Sequence, residues 1–290
     1  MRRYDVVWVD AFTTEPLTGN ACAVVTDARG LDDATMLAIA RETNLSETSF
    51  VFAGDADADF SVRYWTPVSE IPMAGHPTIA TTHALCEAGI VGRDRRAIRL
   101  RMPAGVIPVE IRAGTPVSYA MSQPPPAFLR TYPRAPLAAA LGLAEADLAP
   151  GFEPQTVSTG TPQLMVALAG RAALDRCAPD RAALFSGERD WFSVHVFCRG
   201  DGDVALVARH FADFGRLVED PFTGSATGGM AGYCARYGFV EASSYAVAQG
   251  MHVHRPGRAH VDVGGTPPRD IGRITVAGAA VSVLRATLEI

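Results

Sequence analysis

The chain has 290 residues, 48% hydrophobic and 20% charged, with a net charge of −5. That length suits two domains of ordinary size, and an acidic balance without any basic run argues against a nucleic-acid surface. All 26 basic residues are arginine, which excludes lysine Schiff-base chemistry and a lysine-bearing phosphate loop.

The run from Tyr4 to Asp10 predicts an opening strand, too short for a signal peptide or for the ~20 apolar residues of a membrane span. A loop from Thr13 to Gly19 leads to a second strand, Ala21 to Thr26, and the two read as a hairpin. Asp32 and Asp33 offer N-caps for a helix from Ala34 to Thr43, with Met36, Leu37, Ile39 and Ala40 on its buried side. Asn44-Leu45-Ser46-Glu47-Thr48 breaks that helix as a polar loop, and strands follow from Ser49 to Ala53 and from Phe60 to Trp65.

Glu70-Ile71-Pro72-Met73-Ala74-Gly75-His76-Pro77-Thr78 comes next, and the chain repeats it 149 positions later as Glu219-Asp220-Pro221-Phe222-Thr223-Gly224-Ser225-Ala226-Thr227. The register holds beyond the motif, with Gly89 falling on Gly238 and Val91 on Val240. Each copy reads as a loop entering a helix, because Pro77 suits a first helical turn and Gly89 and Gly238 suit helix stops. Two copies are too few for a solenoid and imply a duplicated domain facing itself across a cleft. A glycine before each helix lets free backbone N–H groups approach a ligand, and the helix dipole favours an anion there.

Between the motifs, Ile98 to Met102 and Val106 to Ile111 predict a hairpin around Pro103-Ala104-Gly105. Ser122-Gln123-Pro124-Pro125-Pro126 reads as a linker, dividing the chain into domains 1–123 and 124–290. Beyond it come a short helix from Leu137 to Leu143 and strands Leu164–Leu168, Phe192–Phe197 and Val204–His210. Closing strands run from Tyr245 to Gln249 and from Thr275 to Leu288. Each half is a set of mainly antiparallel strands with one long helix, so the expected class is α+β.

On the residues alone, Glu47 is either a general acid/base held over a cleft or a solvated glutamate at a helix end. His76 either binds an anion or relays protons, or it caps its own turn. Asp220 stands where the first copy has apolar Ile71, which suggests a task particular to one side or else a local loop cap. Ser225, beside the Gly224 N–H, can donate to a carboxylate. A two-base thiol racemase would want cysteine before each motif glycine, but Ala74 and Thr223 stand there. The five cysteines (Cys22, Cys86, Cys177, Cys198, Cys234) form no CxxC and read as reduced thiols of a cytoplasmic protein. His252 and His254 alternate in a segment read as extended, but no third ligand sits at metal spacing.

The sequence resembles the PhzF-like family, the phenazine-biosynthesis isomerases within the diaminopimelate-epimerase fold. The matching segments are Asp10-Ala11-Phe12, Pro16-Leu17-Thr18-Gly19-Asn20, Asn44 to Thr48, Thr66 to Pro77 and Glu219 to Ala226. Asp213 and Thr159-Gly160-Thr161-Pro162 depart from the family's pattern. The resemblance implies two similar domains, each a barrel-like sheet around a central helix, with an active site between them. It also implies no cofactor, no metal, a small carboxylate-bearing substrate and commonly a homodimer. In the phenazine enzyme the matching glutamate moves a proton within trans-2,3-dihydro-3-hydroxyanthranilate. Carried over, Glu47 is the proton shuttle. Asn20, His76, Asp220 and Ser225 hold the substrate's polar groups, and the Gly75 and Gly224 region supplies backbone donors. Two other functions are compatible with the residues: an epimerase with Glu47 and Asp220 as opposed bases, and a non-catalytic protein that binds small anions.

Overall fold

The computed structural model describes residues 1–214 and 217–290. The chain divides into two units, one formed by Met1–Ser122 with Ala277–Ile290, the other by Gln123–Val276.

In the first unit, Arg3–Ala11 pairs antiparallel with Asn20–Val25, the predicted hairpin. Asn20–Val25 then runs parallel to Glu47–Ala53, a pairing that needs a crossover. Helix Asp33–Thr43 supplies it; the Asp32 side chain accepts from the Thr35 N–H, and Asn44 ends the helix at φ 51°. Met36, Ile39 and Ala40 are its buried residues, and Leu37 packs half-buried against the same core. Glu47–Ala53 pairs antiparallel with Phe60–Trp65, which turns back onto Glu70–Ile71. Phe60–Trp65 also runs parallel to Ala97–Met102, whose hairpin partner is Gly105–Arg112.

The first-motif helix, Gly75–Glu87, is the second crossover, and every residue from Gly75 to Thr82 is buried. A helix buried on all sides must satisfy its polar side chains internally. The threonines do so: Thr78 and Thr82 donate back to the carbonyls of Ala74 and Thr78, and Thr81 meets the Ser49 hydroxyl.

The second unit repeats these pairings in the same order. Gln155–Ser158 is antiparallel to Pro162–Ala167, which is parallel to Ser193–Arg199. Val204–Asp213 follows antiparallel, then Leu217–Asp220, the parallel strand Ser244–Gln249 and its partner Gly257–Thr266. The second-motif helix spans Gly224–Tyr237 and stops at Gly238, at φ 69°, a left-handed conformation that glycine adopts without penalty. The sequence repeat is thus a repeat of register. Tyr64 faces Ser49 and Ile71 on its neighbouring strands, as His210 faces His195 and Asp220. Each unit mixes parallel with antiparallel pairs, as the α+β class allows.

Two expectations need correction. The C-terminal strand Ala280–Glu289 pairs with Arg3–Ala11, from Arg3↔Glu289 to Ala11↔Ala280, so residues 277–290 belong to the first unit and not to a domain 124–290. The physical reason is the second edge of Arg3–Ala11, whose N–H and C=O groups need a partner in a buried strand. The proline run does fall where the units divide, between Ser122 and Gln123, and strands Ser118–Gln123 and Ala127–Thr131 flank it. Lastly, Met251–Val253 is a short 3-10 turn and His254 sits at φ 57°, so His252 and His254 do not alternate on a strand. His252 instead meets Asp175 at 2.9 Å. Among the described residues no group of three or more His, Cys, Asp or Glu could hold a metal ion.

Close packing around the second-motif helix depends on its glycines. A Cβ on Gly228 would lie 2.0 Å from Gln123 Oε1. That amide cannot swing aside cheaply, because Nε2 donates to the Gly224 carbonyl at 2.8 Å and Oε1 accepts from Thr159. Gly228→Ala is expected to lower stability by about 1–3 kcal/mol through overpacking, read as a lower urea midpoint with unchanged slope.

Candidate active site

Glu47 opens the strand Glu47–Ala53 rather than lying in a loop, so its backbone is fixed by pairing while its side chain stays at the strand end. Its Cα partner on the parallel strand is Cys22. The Glu47 side chain is 15% exposed, and its Oε2 lies 3.3 Å from Nε2 of His76. His76 is the second residue of the first-motif helix, and buried Asn20 places its Nδ2 3.1 Å from His76 Nδ1. The Ala21 carbonyl also accepts a hydrogen bond from this ring, and Nε2 has no hydrogen-bond partner among the described residues, so Nδ1 is the nitrogen that the surroundings engage. Burial pushes the His76 pKa down to about 3, with the Ala21 carbonyl opposing only in part. At neutral pH the 3.3 Å contact is therefore between a carboxyl group and an uncharged imidazole, not a salt bridge. Asn20, Glu47 and His76 are brought together, and Gly75 begins the helix beside them.

Cys22 is the nearest thiol, a neighbour that no sequence motif announced. Burial raises its pKa well above the usual thiol value, and the Glu47 charge raises it further. It stays protonated and is no base.

In the second unit, Gly224 and Ser225 open the second-motif helix, and Ser225 is half-buried. Buried Gln163 donates from Nε2 to Ser225 Oγ at 3.2 Å. Asp220 ends the strand Leu217–Asp220, and its Oδ2 accepts from the Thr223 hydroxyl. Gln249 pins the same turn, donating to the Asp220 carbonyl at 2.8 Å and accepting from the Thr223 N–H. The local-cap reading of Asp220 thus describes one of its two carboxylate oxygens. Neither motif helix has a side-chain cap at its N-terminus or an acidic residue in its first turn. The first-turn N–H groups of both helices are thus left without a side-chain cap, where the helix dipole favours an anion.

Aligning the two units by register identifies what is duplicated and what is not. Ser193 pairs with Gln163 as Glu47 pairs with Cys22, so a serine occupies the Glu47 position of the second unit. Ser225 occupies that of His76. Gln123, Gln163 and Ser193 were not legible as site residues, because only strand register brings them to the helix start.

The family model described as phenazine biosynthesis-like protein, PhzC-PhzF, matches residues 9–286. The chain belongs to the PhzF family. Trans-2,3-dihydro-3-hydroxyanthranilate isomerase of Pseudomonas aeruginosa is 34% identical over 279 residues, covering 96% of each chain. A Bacillus anthracis phenazine biosynthesis protein of the PhzF family superimposes with a TM-score of 0.88 at 30% identity, covering 100% of both chains. A hydroxyproline epimerase from Agrobacterium vitis shares the fold alone, with a TM-score of 0.63 at 15% identity over 99% of this chain and 91% of its own. The protein is an isomerase of the PhzF type.

This PhzF-family chain also buries His195 and His210, whose Nδ1 atoms lie 3.2 Å apart. Burial lowers His210 to about 3, and lowers His195 well below its ordinary value with His210 adding to the effect. With His76, three histidines are held neutral in the fold but take up protons when unfolded. Below the unfolded histidine value of ~6.5, the unfolded state binds more protons, so stability falls as pH falls toward about 3. Each histidine contributes a slope of up to about 1.4 kcal/mol per pH unit. Urea unfolding at pH 7.5 and at pH 5 is expected to show a lower midpoint at pH 5, and His210→Gln to flatten that dependence.

Proposed function

We propose that this isomerase moves a proton within trans-2,3-dihydro-3-hydroxyanthranilate or a closely similar small cyclic carboxylate, with Glu47 as the acid/base. The carrying observation is the Glu47 carboxyl group set 3.3 Å from a neutral His76 that Asn20 orients. As carboxylate, Glu47 takes a proton from one ring carbon and becomes the acid. The electron pair left behind shifts through the adjacent double bonds. Glu47 then returns the proton to a second carbon, so atoms and charge balance without an external redox partner. An uncharged His76 does not depress the basicity of Glu47 as an imidazolium would. Gly75 and Gly224 supply helix-start N–H groups, and Asp220 and Ser225 supply polar contacts to the substrate's amino, hydroxyl and carboxylate groups.

An opposed-base epimerase needs a second proton-transfer group. The Glu47 position of the second unit carries Ser193, and Asp220 Oδ2 is engaged by Thr223, which favours a single shuttle. The test is proton NMR of the enzyme with trans-2,3-dihydro-3-hydroxyanthranilate in D2O. Shifted double bonds support the proposal. Inversion of one stereocentre with deuterium incorporation and no double-bond shift would support the epimerase instead. The five free cysteines suit a reducing cytoplasm, and a homodimer is the proposed assembly, checked by light scattering in solution.

A further inference from the structure

We infer that Gln163 is a positioning residue that turns the Ser225 hydroxyl outward as an obligatory donor to a ligand's anionic oxygen. This rests on the reading above that Ser225 meets the substrate.

The argument begins with hydrogen-bond inventory. A serine hydroxyl has one proton and two lone pairs. Gln163 Nε2 donates to Ser225 Oγ at 3.2 Å, so one lone pair is occupied by a donor and the hydroxyl proton cannot point along that line. Gln163 itself is 3% exposed and cannot exchange this contact for bulk water. The hydroxyl proton is left for an acceptor at the helix start, where the backbone N–H groups already favour an anion.

Two observations bear on this contact. Gln163 Oε1 is buried without a hydrogen-bond partner, and so is the hydroxyl of Ser193, the residue paired with Gln163 across the parallel strands. Of the two ends of the amide, Nε2 is the one with a hydrogen-bond partner, and that partner is Ser225. The arrangement is also duplicated. In the first unit, Asn20 of the strand Asn20–Val25 directs its amide at His76, the second residue of the first-motif helix. In the second, Gln163 of the strand Pro162–Ala167 directs its amide at Ser225, the second residue of the second-motif helix. The amides come from positions two residues apart in the repeat, so the function recurs although the residue does not.

The experiment is a double-mutant cycle on the isomerase reaction with Gln163→Met, which keeps side-chain length, and Ser225→Ala. Gln163→Met is expected to raise KM by about 10- to 100-fold, the scale of one hydrogen bond to a charged group, with kcat within about threefold. In the Ser225→Ala background the same change should add less than about twofold, because its target is gone. Independent, additive effects would overturn the inference. A second measurement needs neither turnover nor a Gln163 variant: the side-chain amide cross-peak of Gln163 in a heteronuclear NMR spectrum. It should move in Ser225→Ala, and an unmoved peak overturns the contact. If wild type neither binds nor converts the substrate, the functional reading falls, and the amide peak still decides whether Gln163 and Ser225 are in contact.

Discussion

Glu47→Gln is expected to lower kcat by about 10²–10⁴-fold, the usual contribution of a positioned acid/base, while leaving the fold intact. That loss corresponds to about 3–5 kcal/mol of barrier at 1.36 kcal/mol per decade. The substitution is close to isosteric: the amide can still face His76 Nε2, now at 3.3 Å from the carboxylate, but it cannot accept a proton at working pH. Since Glu47 is only part-buried and begins a strand, the thermal midpoint should shift little. KM should also change little, because the group acts chiefly in the transition state. The NMR assay measures the result directly. A Gln variant retaining more than about a tenth of wild-type kcat would remove Glu47 from the role of shuttle and return the search to Asp220.

The second large effect concerns stability. Each unit ties the strand before its motif to the motif glutamate through a two-pronged arginine pair. Arg63 reaches Glu70 at 2.7 and 2.6 Å, and Arg209 reaches Glu219 at 2.9 and 2.8 Å. The settings differ. The Arg209 and Glu219 side chains are 9% and 14% exposed, against 28% and 26% for Arg63 and Glu70. Arg209 also donates from Nη1 to the carbonyls of Leu174 and Cys177 at 2.9 and 2.7 Å. Arg209→Met strands a buried carboxylate and two carbonyls and should cost about 3–5 kcal/mol. Arg63 also reaches Asp33 at 2.7 Å, whose side chain is 71% exposed, so Arg63→Met leaves two better-hydrated carboxylates and should cost about 1–2 kcal/mol. Urea unfolding of both variants decides the matter, and equal losses would show that burial does not set the strength of these pairs. Arg209→Met should also reduce activity at 37 °C, since Glu219 precedes Asp220 and anchors the strand leading to the second motif.

The amino-acid sequence alone determined the duplication, the two motif helices with their glycine starts and stops, and the family. These are local or periodic signals: glycine and proline restrict the backbone wherever they stand, and a gapless repeat needs no three-dimensional context. His76, Asp220 and Ser225 were legible as candidates for the same reason, since they sit in the repeated segments, and Glu47 from its polar stretch and the family resemblance. Tertiary structure decided what depends on strand register. Only pairing reveals that Glu47 belongs to a strand beside Cys22, that Ser193 stands in its place in the second unit, and that Gln163 reaches Ser225. The return of Ala280–Glu289 to Arg3–Ala11 is likewise a contact across nearly the whole chain, favoured by pairing an open strand edge and invisible to any local pattern. Protonation follows the same division. Histidine marks a possible switch by its identity, but burial keeps His76 uncharged beside Glu47, because the desolvation cost of a charge is set by what packs around it.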